Sequence, residues 1–203
     1  MTKIIETSLK HLRKDKVLKK IIDTVELPIR EKKSNNVFVN LLSSIVSQQL
    51  STKAASTIFS RFMEYFKNEP NPQTLISTED VVLRGLGLSF QKIGYVKNVA
   101  YFFVDKDMSV KYWNKKTDEE IISELTSIKG VGVWTVQMLL MFTFKREDVF
   151  PIDDLIIKNS IIKYYNIKSD GKQKTEEILK ISKKWSPYRT IACLYLWASK
   201  DNL

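Results

Sequence analysis

Apolar residues recur along this chain at three- and four-residue intervals over most of its length, the spacing that sets one face of a helix against a core. The pattern is plainest over residues 51–66, where Ala54, Ala55, Ile58, Phe59, Phe62 and Phe66 share a face and Ser51 stands where it can cap the first turn. Residues 38–46 are apolar and expected to be buried, and 133–144 is apolar enough to cross an interior. Two short helices are predicted over 3–19 and 20–26, ending near Pro28, with others around 78–83 and 90–104 and three more over 156–165, 175–182 and 188–198. Thr117 and Glu120 have capping-box spacing at the head of a helix over 117–124. Residues 31–36 read as a polar connector and 68–72 as a loop. Neither alternating strands nor a long internal repeat is evident. The expected fold class is all-α, with about ten helices of roughly three turns each.

A chain of 203 residues can bury a sizeable core, as one domain or two lobes. Its 33 Lys and Arg against 23 Asp and Glu give a net charge of +10, which favours a polyanionic partner, either nucleic acid or an anionic membrane surface. The single cysteine, Cys193, excludes an internal disulfide, a cysteine-ligated iron–sulfur cluster and a cysteine-built zinc site. It lies in an apolar run and reads as core. The one histidine, His11, sits in a basic stretch with no partner cluster around it and reads as solvated. The start of the chain lacks the apolar core of a signal peptide, and no apolar run is long enough to span a bilayer, so a soluble intracellular protein is expected.

Two segments carry candidate chemistry. Residues 125–136 read as a helix, a two-glycine turn at Gly130-Val131-Gly132, and a second helix. Backbone N–H groups at such a helix start bind anions, and no side chain at Gly130 or Gly132 blocks a phosphate. Lys129 adds a positive charge and Thr135 a hydroxyl within reach. Contacts of this type position DNA without reading its sequence. The same glycines also fit a plain turn between helices. Downstream, Asp153-Asp154 open another helix. One of two adjacent carboxylates can cap that helix while the other faces a cleft, where a carboxylate stabilises an oxocarbenium-like transition state; both capping is the alternative. Trp134 opens the helix after the turn, and Trp185, Tyr188, Tyr195 and Trp197 cluster near the end. Aromatics of this kind stack on a flipped base or fill a core, and Trp185 reads as core. A further glycine-punctuated tract, residues 86–94, fits a structural junction better than a phosphate site.

Taken together, Ile128-Lys129-Gly130-Val131-Gly132-x-Trp134-Thr135, Asp148-Val149-Phe150-Pro151-x-Asp153-Asp154-Leu155, Trp185-x-Pro187-Tyr188-Arg189, Leu194-x-x-Trp197 and Ser47-Gln48-Gln49-Leu50-Ser51-x-Lys53-Ala54-Ala55 resemble the helix-hairpin-helix DNA glycosylases, specifically the 3-methyladenine DNA glycosylase II, or alkylpurine, branch. The resemblance runs from about residue 37 to the C-terminus. It implies two helical lobes with a DNA-binding cleft between them and the helix-hairpin-helix motif, residues 117–144, at their junction. One lobe would comprise residues 36–145, the other 1–35 with 146–203. It also implies that Asp154 is the catalytic aspartate with Asp153 its capping neighbour, and that Leu50 is the wedge filling the gap left by an extruded nucleotide, with Gln49 and Ser51 beside it. Lys129, Gly130, Gly132 and Thr135 would grip DNA. The base pocket would be lined by Trp134, Trp197, Tyr188 and Phe38.

By the same resemblance, the backbone carbonyls of Thr126, Ile128 and Val131 would hold a structural Na or K ion, with no other cofactor. Lys129 stands where proline is common. Bifunctional relatives carry a lysine nucleophile where this chain has Trp134, which argues against Schiff-base chemistry. The implied protein is a monomeric, monofunctional enzyme releasing alkylated purines from double-stranded DNA in base excision repair, cytoplasmic and nucleoid-associated in a bacterium, nuclear in a eukaryote. The alternatives are a glycosylase for deaminated or oxidised bases, a non-catalytic DNA clamp, and a basic helical RNA-binding protein.

Overall fold

Short polar side chains mark where many of the helices begin. The computed structural model describes residues 2–27 and 34–199, and over them the chain is all-α: α1 (Thr2–Leu12), α2 (Lys16–Thr24), α3 (Val37–Ser47), α4 (Thr52–Tyr65), α5 (Pro72–Ser77), α6 (Asp80–Gly85), α7 (Phe90–Phe103), α8 (Val110–Trp113), α9 (Asp118–Thr126), α10 (Val133–Phe142), α11 (Leu155–Tyr164), α12 (Gly171–Lys183) and α13 (Arg189–Ala198). Asn36, Ser51, Asn71, Ser89 and Ser109 each accept a first-turn backbone N–H, which is the bond that makes these residue types good caps. At α9 the predicted capping box forms: Thr117 N donates to Glu120 Oε2 at 2.7 Å and Glu120 N to Thr117 Oγ1 at 3.2 Å. Pro28 and the first half of the predicted connector, residues 28–33, lie outside the described residues. Among the described residues no helix is long and apolar enough to cross a membrane.

The helices form two compact units, one within residues 32–144 and one built from the N-terminal helices with residues 145 onward. In the first unit α3 is the central element. Val37, Phe38, Leu41, Leu42, Ile45 and Val46 are all fully buried, so its apolar residues face neighbours on several sides: α4, α7 and α10 pack against it. Its start is fastened by Val37 N donating to Met108 O at 2.7 Å and by Val110 N donating to Asn35 O at 3.0 Å. α9 and α10 pack on each other as the two arms of the hairpin.

In the second unit α11 and α13 pack together, with α2 on α13 and α12 on α11, around Leu18, Ile157, Ile161, Ile178, Cys193 and Leu196. Cys193 and Trp185 are core, as the sequence suggests. The single helix expected over 3–19 is broken at Asp15. Its Oδ1 caps α2 through Val17 N and Leu18 N, while Oδ2 accepts from Tyr165 Oη at 2.7 Å and Trp185 Nε1 at 3.2 Å. Burial pushes the Asp15 carboxyl up, but these four donors outweigh it and hold its pKa below the usual value. His11, expected to be solvated, is partly exposed and also has neighbours: its Nε2 lies 3.1 Å from Lys184 O, and its ring meets Tyr188 edge-on at 5.5 Å.

Candidate functional site

The hairpin is shaped by Gly130. This residue sits at φ +104, a backbone conformation closed to most side chains, and a Cβ there would lie 2.3 Å from Tyr95 Cγ of α7. The turn is also fastened from outside. Asn98 Nδ2 donates to Lys129 O at 3.1 Å, and Gln48 Nε2 to Gly130 O at 3.3 Å. Ile128 and Val131 are buried beneath it, with Val131 N donating to Ile128 O at 3.0 Å. Gly132 differs from Gly130. Its φ of −92 is open to any residue, and a Cβ would meet nothing within 4 Å. It starts α10 with no side chain capping that helix. The first N–H groups of a helix need partners that the helix itself does not supply, so an uncapped start with open space before it suits an anion. Lys129 is exposed at the same turn.

Beside the hairpin start, a hollow of about 670 Å³ opens between α3 and α10. Trp134, Met138 and Phe142, at four-residue steps on α10, form its aromatic and thioether wall; Ser43, Ser44 and Ser47 of α3 form the other. The Ser44 and Ser47 hydroxyls donate to the carbonyls of Asn40 and Ser43 one turn back, at 3.0 and 2.8 Å. Trp134 is 40% exposed, and Leu50, at the rim with Gln49, is 39% exposed. Gln49 holds φ +57, a left-handed conformation costing a non-glycine residue roughly 1–2 kcal/mol. Such strain persists where surrounding contacts fix it. Ser51 caps α4 through its hydroxyl.

In the other unit, Asp154 is the N-cap of α11. The residue is 7% exposed, and its carboxylate accepts on Oδ1 from Ile156 N at 3.1 Å, Ile157 N at 3.0 Å and Trp197 Nε1 at 2.9 Å. The helix dipole favours a negative charge at this end. The segment leading to Asp154 is clamped upstream. Asp148 takes the Arg189 guanidinium at 2.7 and 2.9 Å and the Ser186 hydroxyl at 2.7 Å, while Thr190 Oγ1 accepts from Val149 N at 3.0 Å and donates to Arg146 O at 2.7 Å.

Several expectations change. The capping aspartate is Asp154 itself, and Asp153 is exposed, because the helix begins one residue later than the expected division of roles requires. Phe38 does not line a base pocket: it is 0% exposed, its ring 5.7 Å from Phe103 in the core of its unit. Thr135, expected to grip DNA at the turn, is 3% exposed and lines the hollow, so little of it is open to a backbone phosphate. Trp197 is a hydrogen-bond donor to Asp154, and Tyr188 is half-buried against His11. Met138, Phe142 and the α3 serines were not foreseen; the four-residue spacing from Trp134 is the signal that would have found the first two.

The model of the HhH-GPD superfamily base excision DNA repair proteins matches residues 42–187 of this chain. The chain belongs to the HhH-GPD superfamily. The DNA-3-methyladenine glycosylase 1 of Schizosaccharomyces pombe is 36% identical over 174 residues, covering 84% of this chain and 75% of that protein. The solved structure of the Schizosaccharomyces pombe 3-methyladenine DNA glycosylase Mag1 in complex with abasic DNA has a TM-score of 0.82 at 32% identity, covering 96% of this chain and 97% of that one. A DNA-3-methyladenine glycosidase from Bacillus halodurans superposes with a TM-score of 0.76 at 33% identity, over 94% and 87% of the two chains. These HhH-GPD relatives agree with the all-α fold and with the family read from the motifs.

Proposed function

We propose that this protein is a monofunctional DNA glycosylase that hydrolyses the N-glycosidic bond of alkylated purines, of the 3-methyladenine and 7-methylguanine type, in double-stranded DNA. The observation that carries the reading is Asp154. In a chain of this superfamily, a nearly buried carboxylate is fixed by two backbone N–H groups and an indole N–H converging on one oxygen. A carboxylate held in this way supplies a fixed negative charge to a sugar as it becomes cationic, with little reorganisation during the reaction. Alkylation at N3 or N7 already makes the purine a good leaving group, so the chemistry asks less of a general acid and needs no metal. Unstacking the lesion costs a few kcal/mol. Leu50 offsets part of it by filling the vacated stack, and the Trp134 wall offers a face on which a cationic base stacks. The uncapped start of α10, with Lys129, holds a backbone phosphate.

A monovalent cation at the carbonyls of Thr126, Ile128 and Val131 belongs to the same reading. Ile128 O already accepts the Val131 N–H and keeps a second lone pair for it. The protein is proposed to act as a monomer in the compartment that holds DNA. The test is incubation with methylated duplex DNA and identification of released bases by chromatography. Release of 3-methyladenine or 7-methylguanine, leaving abasic sites in intact strands, is expected. Release only from uracil- or 8-oxoguanine-containing duplexes, strand cleavage by the protein itself, or binding without release would refute the assignment.

A further inference from the structure

The last carbonyls of a helix have no partner within it, and at the end of α3 each of three finds one from a different direction. Ile45 O accepts from Gln48 N at 3.2 Å, Ser47 O from Leu50 N at 3.3 Å, and Val46 O from Lys92 Nζ of α7 at 2.7 Å. One residue further on, the Gln48 side chain reaches Gly130 O in the hairpin. Between these ties the chain turns through Gln49 at φ +57 and leaves Leu50 exposed. A left-handed residue other than glycine needs neighbours that fix it, and here the neighbours are Lys92 on one side and Gly130 on the other. The ammonium also meets the negative end of the α3 dipole. Burial lowers the Lys92 pKa, the direction expected of an ammonium drawn partly out of water.

We propose that Lys92 and Gln48 are positioning residues for base extrusion: Lys92 fastens the end of α3, Gln48 fastens the following turn to the hairpin, and together they keep Leu50 projected and in register with the phosphate anchor. This role rests on the glycosylase reading above. It acts on extrusion, and neither on bond cleavage nor on the grip on the backbone, so its loss matters in proportion to how firmly the lesion is paired.

The experiment is single-turnover release of 7-methylguanine from two duplexes, one with the lesion paired to cytosine and one with it unpaired in a bulge. For Lys92→Met the rate on the paired lesion is expected to fall about tenfold while affinity for an abasic-site duplex changes by less than about threefold. The unpaired lesion restores most of the rate, and Lys92→Arg, which keeps a donor, retains activity on both. Gln48→Leu loses more on the paired than on the unpaired lesion, and it decides the matter if Lys92→Met does not fold. Equal losses on both duplexes, or no loss on either, overturn the positioning role. Wild-type protein that releases no base from either duplex overturns the glycosylase reading itself, whereas wild-type release matched by both variants overturns the positioning role alone.

Discussion

A single methyl group added at residue 130 is expected to destabilise the hairpin severely. In Gly130→Ala the new Cβ would lie 2.3 Å from Tyr95 Cγ, 2.4 Å from Cδ1 and 2.8 Å from Cβ, on a backbone at φ +104. Those atoms are the root of a ring whose far end is also held, Tyr95 Oη accepting from Gln91 Nε2 at 2.7 Å, so the ring yields only by disturbing α7. The left-handed backbone costs an alanine roughly 1–2 kcal/mol and the overlap about 1–3 kcal/mol more, a total of about 2–5 kcal/mol. For a chain of this size that corresponds to a fall in melting temperature of the order of 10 °C. Thermal unfolding followed by circular dichroism measures it. Gly132→Ala is the control: its φ is ordinary and its space open, so a shift of at most about 2 °C is expected. Adding Tyr95→Ala to Gly130→Ala removes the overlap and leaves the backbone cost, so the pair is less damaging than the sum of its parts. A Gly130→Ala protein that melts with the wild type, or that suffers no more than Gly132→Ala, refutes the steric argument.

Gly132→Asp places a good capping residue at the start of α10 and a negative charge where a phosphate is proposed to bind; melting is expected to be unchanged or raised, while fluorescence anisotropy shows weaker binding to damaged and undamaged duplexes alike. Trp197→Phe removes one donor from Asp154 and leaves its cap, so base release is expected to fall roughly tenfold with melting lowered by only a few degrees; unchanged release counts against the indole's role. Burial pushes the Asp148 carboxyl up, but Arg189 and Ser186 outweigh it and hold its pKa below 3.8. The stability it adds is therefore complete above the unfolded value and lost as pH falls through the lower folded one. Asp148→Asn is expected to lower the melting temperature at neutral pH, with the gap from wild type closing as the pH falls below 3.8 and through the lower folded value, as read from melting curves across a pH series.

The hairpin was legible in the sequence because its signals are local. The Thr117–Glu120 box and Gly130 dictate a helix start and a turn whatever packs around them, and the Ser51 cap is equally self-contained. α8 is not marked because four residues are too few to show a helical period, and α5 because it starts on Pro72, the last residue of the tract that reads as a loop. The break at Asp15 has a local signal in the aspartate that caps α2, but its other oxygen is held by Tyr165 and Trp185, far away in sequence, and that hold leaves no local pattern. Phe38 illustrates the same difficulty at the site: an aromatic in an apolar run suits a pocket wall or a core equally, and its contact with Phe103 decides the matter. The adjacent aspartates could be found but not ranked, since which of them caps α11 depends on a one-residue choice of helix start. The ties from Lys92 and Asn98 to backbone carbonyls left no trace in the pattern, because an exposed-looking polar residue on a helix is ordinary.

The catalytic role of Asp154 stands or falls on Asp154→Asn. Asparagine caps a helix about as well as aspartate, so the substitution removes the negative charge while leaving the start of α11 intact, and the exposed Asp153 serves as the neighbouring control. Single-turnover release of 7-methylguanine from a methylated duplex is predicted to fall by about 100-fold or more, with melting temperature and duplex affinity retained and Asp153→Asn close to wild type. Release by Asp154→Asn at the wild-type rate, or an equal loss in Asp153→Asn, would rule out Asp154 as the catalytic carboxylate.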